Sequence, residues 1–294
     1  MSDTIIKWLL FIVLCLIWGS SFFLMKEGLE QLNAYEVAAL RIASAGVLLF
    51  PFFFRSYIQL NRKQRFYSMI TGLLGSFFPA ILFCVAETKV DSALAGMLNA
   101  LTPLCVLLAG TLFFNIPLLR NKLTGVLTGL TGMLLLFFSG STSHQDGNWG
   151  YVLLILIATL CYGFNVNIAG RHLQGVPAVA IASIAFTCLI PVSFLILWIS
   201  GFFELPFRSA PVLHSIAASS VLGITGTAFA TVLFYMLMKR AGPLFSSMVT
   251  YGIPFVAIGW GVWDGEQVSM MQLAGLLIIL TGVFIANRER KSEI

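Results

Sequence analysis

Residues 222–242 read LGITGTAFATVLFYMLMKRAG. From Leu222 to Met238 no side chain carries a charge, and Lys239-Arg240 then end the run. A helix needs about 20 mostly apolar residues to cross a hydrocarbon core about 30 Å thick. Extended back to Leu213, this stretch has that length. It is too long and too evenly apolar for a membrane barrel strand, which alternates over about ten residues. Its opening, Gly223-Ile-Thr-Gly226, is echoed 151 residues earlier by Gly72-Leu-Leu-Gly75. One stretch thus carries three readings: a membrane helix, a basic flank and a repeat.

The rest of the chain follows the same pattern. Of 294 residues, 59% are hydrophobic and only 10% charged. A soluble domain has about 25% charged residues, so this chain cannot cover a water-facing surface and calls for the bilayer as its solvent. Ten runs pass the length test: 8–25, 35–54, 66–86, 92–114, 123–139, 149–169, 178–200, 213–237, 244–263 and 271–287. The first resembles a signal peptide in hydropathy but lacks a small-x-small cleavage site, so it reads as a retained helix. The expected fold class is an all-α polytopic membrane protein of ten transmembrane helices.

Loop charge tests that count. With the N-terminus inside, the inner segments collect Lys7, Arg55, Arg62, Lys63, Arg65, Arg120, Lys122, Arg171, Lys239, Arg240, Arg288, Arg290 and Lys291. The outer segments hold only Lys26, Lys89 and Arg208, and Arg41 lies within a span. Cytoplasmic loops gather Lys and Arg; a missed helix would have scrambled the bias. Both termini are therefore expected in the cytoplasm. The net charge of +5 is topology information rather than a sign of nucleic-acid binding.

The echo extends along the chain. Leu82-Phe83, Met97 and Pro103 precede Leu233-Phe234, Met248 and Pro254 by 151 residues. A shift of 150 aligns Leu123-Thr-Gly125 with Leu273-Ala-Gly275 and Thr131-Gly132 with Thr281-Gly282; one of 144 aligns Trp18-Gly19 with Tyr162-Gly163. The expected organisation is a first five-helix repeat over 1–140, an outside linker over 141–148, a second repeat over 149–287 and a cytoplasmic tail over 288–294. Five crossings per repeat is an odd number, so the second copy enters from the opposite side. Inverted repeats are a signature of secondary transporters, because two opposed copies can exchange conformations around one midplane site.

No HExxH, GxSxG, Walker or acid-rich box is present, so neither an enzyme nor an ATP-driven pump is indicated. Five cysteines lie inside apolar runs without CxxC spacing, and three histidines stand far apart near loops. No metal site and no cofactor are called for. The cavity candidates are uncharged polar residues and aromatics: Trp18 and Ser21, Phe78, Asn99, Tyr162 and Asn165, Thr227, Thr231, Tyr235, and Tyr251 just before Pro254. A side-chain amide in hydrocarbon needs a partner, so Asn99, Asn165 and Asn167 must face protein or water; interhelical glue is the competing reading. Proline at 79, 103 and 254 loosens backbone bonding, either as a static kink or at a cavity border.

Charges within spans are costly. Arg41 contacts either a substrate carboxylate or a structural partner among Glu30, Glu36 and Glu87, and the structural arrangement is the commoner. Glu266 either carries a coupling proton or caps the helix that follows, the latter being commoner. No deep carboxylate stands out. The competing functions are a channel, which needs a continuous polar stripe, a membrane-embedded enzyme, and a non-transporting receptor.

These residues resemble a known pattern. Trp18-Gly19-Ser20-Ser21 resembles the opening Trp-Gly-Ser box of the drug/metabolite transporter superfamily, EamA-type branch, and Leu40-Arg41-Ile42 its second-helix arginine box. Residues 222–282 carry the strongest likeness, including the Tyr251–Pro254 turn, Gly265-Glu266 and LAGLLIILTG. The resemblance covers nearly the whole chain. It implies a ten-helix bundle with a central cavity and export of a small organic solute (an amino acid, a metabolite or a drug-like compound) by alternating access. It also implies a bacterial inner-membrane location and a monomer or homodimer whose other partner is the lipid bilayer. One departure stands out: the family often has Glu where this chain reads Phe114-Asn115-Ile116-Pro117.

Overall fold

The computed structural model describes residues 3–116, 120–138 and 149–287. The linker expected at 141–148 and the tail at 288–294 lie outside these. Among the described residues the chain forms helical rods at all ten expected places. They are α1 (Asp3–Leu29); α2 (Ala34–Gln59); α3 (Arg62–Gly72) running into α4 (Phe78–Glu87); and α5 (Ser92–Asn99) followed by α6 (Thr102–Phe113). Next come α7 (Arg120–Phe138), α8 (Trp149–His172), and α9 (Ala178–Thr187) followed by α10 (Ile190–Ile199). The last are α11 (Ala210–Val221) running into α12 (Ala230–Ser247), which turns at Gly242 so that its end starts the ninth rod, then α13 (Ile253–Trp263) and α14 (Met270–Asn287). Eight rods are long and apolar enough to cross a membrane, and the apolar segments Thr124–Leu135 and Met270–Ile285 supply shorter ones. Phe54, Leu112, Phe113, Trp198, Ile199 and Phe284 stay exposed on the outside of the bundle, where lipid replaces water.

Local chemistry sets the ends. Asn33 caps α2 by accepting from the Tyr35 and Glu36 N–H groups, and the Glu36 carboxylate accepts from the Asn33 N–H at 2.9 Å. Glu36 is therefore a cap rather than a partner for Arg41. Asn61 and Gln64 form the same box at α3.

Five rods are not continuous α-helix. Leu73–Phe77 and Leu222–Phe229 are π-helical, and they contain the aligned Gly75 and Gly226. Pro79 sits in the first turn of α4, after the first π segment; its missing N–H and its ring exclude an ordinary α turn there. Pro103 and Pro254 each open a new helix, after a break at Ala100-Leu101 and a 3-10 turn at Met248–Tyr251. A fifth interruption precedes Pro191 in α10, which the sequence reading did not anticipate.

The packing is two-fold. α7 lies on α14, and α2 on α9 and α10, so corresponding rods meet their own counterparts. The α1–α13 contact is repeated by α6–α8, and α2 with the second π segment by α3–α9. Asp3 pairs with Arg240 at 2.8 Å, and Tyr67 stacks on His172 at 3.9 Å. Leu10, Leu60, Leu173 and Leu237 share one core cluster on that side. Hence the starts of α1 and α3, the end of α8 and the Leu237–Arg240 part of α12 lie on one face. The sixth rod runs against the first, and the repeats are inverted.

α7 and α14 meet backbone to backbone. A Cβ built on Gly282 would lie 2.5 Å from the Gly129 nitrogen, and one on Gly132 2.7 Å from the Gly275 oxygen. Small residues permit this approach. Overpacking such a contact costs about 1–3 kcal/mol. Gly282→Val will accordingly lower the unfolding temperature of the detergent-purified protein, whereas Ile278→Val, elsewhere on the same helix, will change it far less.

Candidate functional site

A cavity of about 90 Å³ lies between the repeats. One water needs roughly 10–15 Å³ of such space, so it has room for several waters or a small solute fragment. Its wall includes Trp18, Ser21, Asn99, Tyr162, Asn165, Thr227, Thr231 and Tyr235, together with Arg41. Two candidates lie off the wall. Phe78 is 45% exposed, and Tyr251 packs against the core from the 3-10 turn. Glu266 is also off the wall.

The wall is built from equivalent positions of the two repeats. Trp18 and Ser21 stand 144 residues before Tyr162 and Asn165, and Ser76 and Phe83 stand 151 before Thr227 and Phe234, all of them lining. Asn99 corresponds in the same way to Thr250. A Cβ on Gly226 would lie 2.6 Å from Ser21 Oγ, and one on Gly75 2.6 Å from Asn165 Nδ2. Each π segment therefore passes its glycine directly under the polar residue of the first helix in the other repeat. Ser76, Thr102 and Thr250 escaped the sequence reading, although the 151-residue shift from Thr227 and Asn99 points to Ser76 and Thr250.

The polar groups are tied across the cavity. The Trp18 indole donates to the Gly226 carbonyl at 2.9 Å, and Arg41 Nε donates to Thr227 Oγ1 at 2.7 Å. The Tyr235 hydroxyl donates to Asn165 Oδ1 at 3.4 Å, and Thr102 donates to the Asn99 side chain and carbonyl. Asn167 instead donates to the Val106 and Gly163 carbonyls, joining α8 to α6 away from the wall.

At one end of the bundle a polar latch joins the repeats. Glu266 accepts from the Ser92 and Ala93 N–H groups at 3.3 and 3.0 Å and from Lys26 at 3.0 Å, while Lys26 also pairs with Asp264. Glu266 thus caps α5, far back in the first repeat, rather than the helix that follows it. That helix is capped by Ser269 with Gln272. Beside the latch, Glu27 meets His214 at 2.7 Å. In the first repeat the corresponding turn holds Asn115 in the left-handed region like Gly265, followed by Ile116, whose apolar side chain offers no such latch. Glu87, a candidate partner of Arg41 on the sequence, forms no ion pair with it among the described residues. The third run ended at 86 on hydropathy, but the helix continues one residue further and buries both carboxylate oxygens without a partner among the described residues.

Similar proteins agree with this architecture. The pattern of the EamA-like transporter family matches residues 6–138 and again 149–288. "Protein PagO" of Salmonella typhimurium is 25% identical over 285 residues, covering 94% of this chain and 91% of that one. "Uncharacterized inner membrane transporter YedA" of Escherichia coli K12 is 27% identical over 93% of this chain and 88% of its own. The "Probable amino-acid metabolite efflux pump" of Salmonella typhimurium is 24% identical over 93% and 92%. A crystal structure at 19% identity superposes with a TM-score of 0.65 over 97% of this chain and 98% of the other, which shows a shared fold. With the family pattern falling once on each five-rod half, the chain belongs to the EamA-like transporter family.

Proposed function

We propose that this protein is a secondary transporter that exports a small organic solute by alternating access through the central cavity. One observation carries the reading: the cavity lies where symmetry-equivalent residues of two inverted repeats face each other, with one end latched across the repeats. Exchange of conformations between the repeats moves the opening from one side to the other. The broken fourth and ninth rods and the two π segments supply backbone that can rearrange without unfolding a whole helix. Outward direction is supported by the efflux-pump name of a relative. The basic loops support a cytoplasmic location for both termini, which assigns the latch to the outer face and the structure to an outward-closed state.

The test is solute counterflow in proteoliposomes. The cargo is first identified by an efflux screen over amino acids, metabolites and drugs in a host lacking its own exporters. Preloaded solute will accelerate uptake of labelled solute, as a carrier requires. Uptake indifferent to preloading would make the protein a channel. Topology has a separate check: a cysteine placed at Arg62 will label only from the cytoplasmic side, and one at Lys89 only from the outside.

A further inference from the structure

Arg41 is the only charged side chain on the cavity wall among the described residues. It is half-buried, and its one hydrogen bond runs from Nε to Thr227. It makes no ion pair, and its two terminal nitrogens donate to nothing among the described residues. The acids that could neutralise it are otherwise placed. Glu36 is held in the α2 cap and Glu266 in the latch. Glu87 lies within electrostatic range but forms no ion pair with Arg41 among the described residues. A cation at membrane depth is costly unless paired, and a guanidinium whose fork is free matches a carboxylate in a two-point bond.

Symmetry sharpens this. The position 144 residues after Arg41 is Ala185, which also lines the cavity. Five other lining pairs match polar with polar or aromatic with aromatic, while Phe22 corresponds to Val166 and Thr102 to Ile253; at Arg41 and Ala185 one wall carries a charge and the other a methyl group. The cavity is therefore polarised. An anionic end belongs on the α2 side, beside Arg41 and Thr227. The body of the ligand meets Trp18, Phe22, Phe83, Tyr162 and Phe234. Among the described residues no acidic side chain lines the wall to pair with an ammonium group.

We infer that Arg41 is the anion-binding residue of the cavity and that its ligand is a small organic monocarboxylate with an apolar or aromatic body. This deepens the transport reading and rests on it. The test uses purified protein in detergent, titrated calorimetrically with a panel of aromatic and aliphatic monocarboxylates headed by 3-phenylpropanoate, and with the matching amides and primary amines. The acids are expected to bind more tightly than their amides and amines. Arg41→Gln, which keeps a donor for Thr227, is expected to weaken the acids by roughly ten- to hundred-fold, the size of a lost charged hydrogen bond, and to leave the amides unchanged. Arg41→Lys keeps the charge without the fork and is expected to fall between. Amides or amines binding as well as acids, no acid binding, or acid affinity indifferent to Arg41→Gln would each overturn the inference. The wild-type ranking decides even if a variant misfolds. Counterflow of other solutes with no acid binding would overturn this inference and leave transport standing. Arg41-dependent acid binding without counterflow of any solute would do the reverse.

Discussion

Filling the cavity from α12 with Thr231→Trp will abolish solute counterflow while leaving a folded, monodisperse bundle. Thr231 lines the cavity and is only partly buried, so its side chain has open space in front of it. The whole cavity holds about 90 Å³. An indole in that space displaces the solute rather than the surrounding helices. The expected loss is at least about a hundred-fold, because the solute is excluded from the proposed site. Its control is Phe78→Trp, which sits 45% exposed on the outside of the bundle and should transport as the wild type does. Normal counterflow by Thr231→Trp would remove the cavity from the mechanism.

Opening the latch produces the second large effect. Glu266→Ala removes a carboxylate that is only 7% exposed and holds three donors: Lys26 and two N–H groups at the start of α5. A hydrogen bond to a charged group is worth about 1.5–3 kcal/mol, and about 1.4 kcal/mol shifts a two-state population ten-fold. The variant is therefore expected to shift toward the state open at that end by ten-fold or more. A cysteine at Phe22, which lines the cavity from α1, reports this through faster reaction with a membrane-impermeant maleimide applied from the latch side. Glu266→Gln can still accept from the α5 N–H groups but loses the Lys26 ion pair, so it will shift less. Labelling rates unchanged in both variants would show that the latch does not gate the cavity.

Much of the architecture is legible in the chain because membrane burial writes it in composition. Charge-free runs give the rods, Lys and Arg mark one face, and the 151-residue echo gives the two-fold. Polar cavity residues are legible for a related reason. Asn165 or Thr227 inside an apolar run must face protein or water, and both face the cavity. Phe78 carries no such mark, since a phenyl ring is equally at home against lipid. The π segments were hidden because they follow from tertiary contact: Gly75 and Gly226 fit under partners contributed by the other repeat. The target of Glu266 was hidden for the same reason, as Ser92 comes beside it only in the folded bundle. The end of α4 at Glu87 lies one residue past the run read from hydropathy, which has no sharp boundary.

Cross-linking the latch tests alternating access most directly. Lys26→Cys and Glu266→Cys are combined in a background without Cys15, Cys84, Cys105, Cys161 and Cys188, and counterflow is measured before oxidation, after it, and after reduction. Oxidation holds α1 of the first repeat to the turn after α13 of the second. The account predicts that oxidised protein stops transporting and that reduction restores the original rate. Undiminished counterflow through the oxidised, demonstrably cross-linked protein would contradict it.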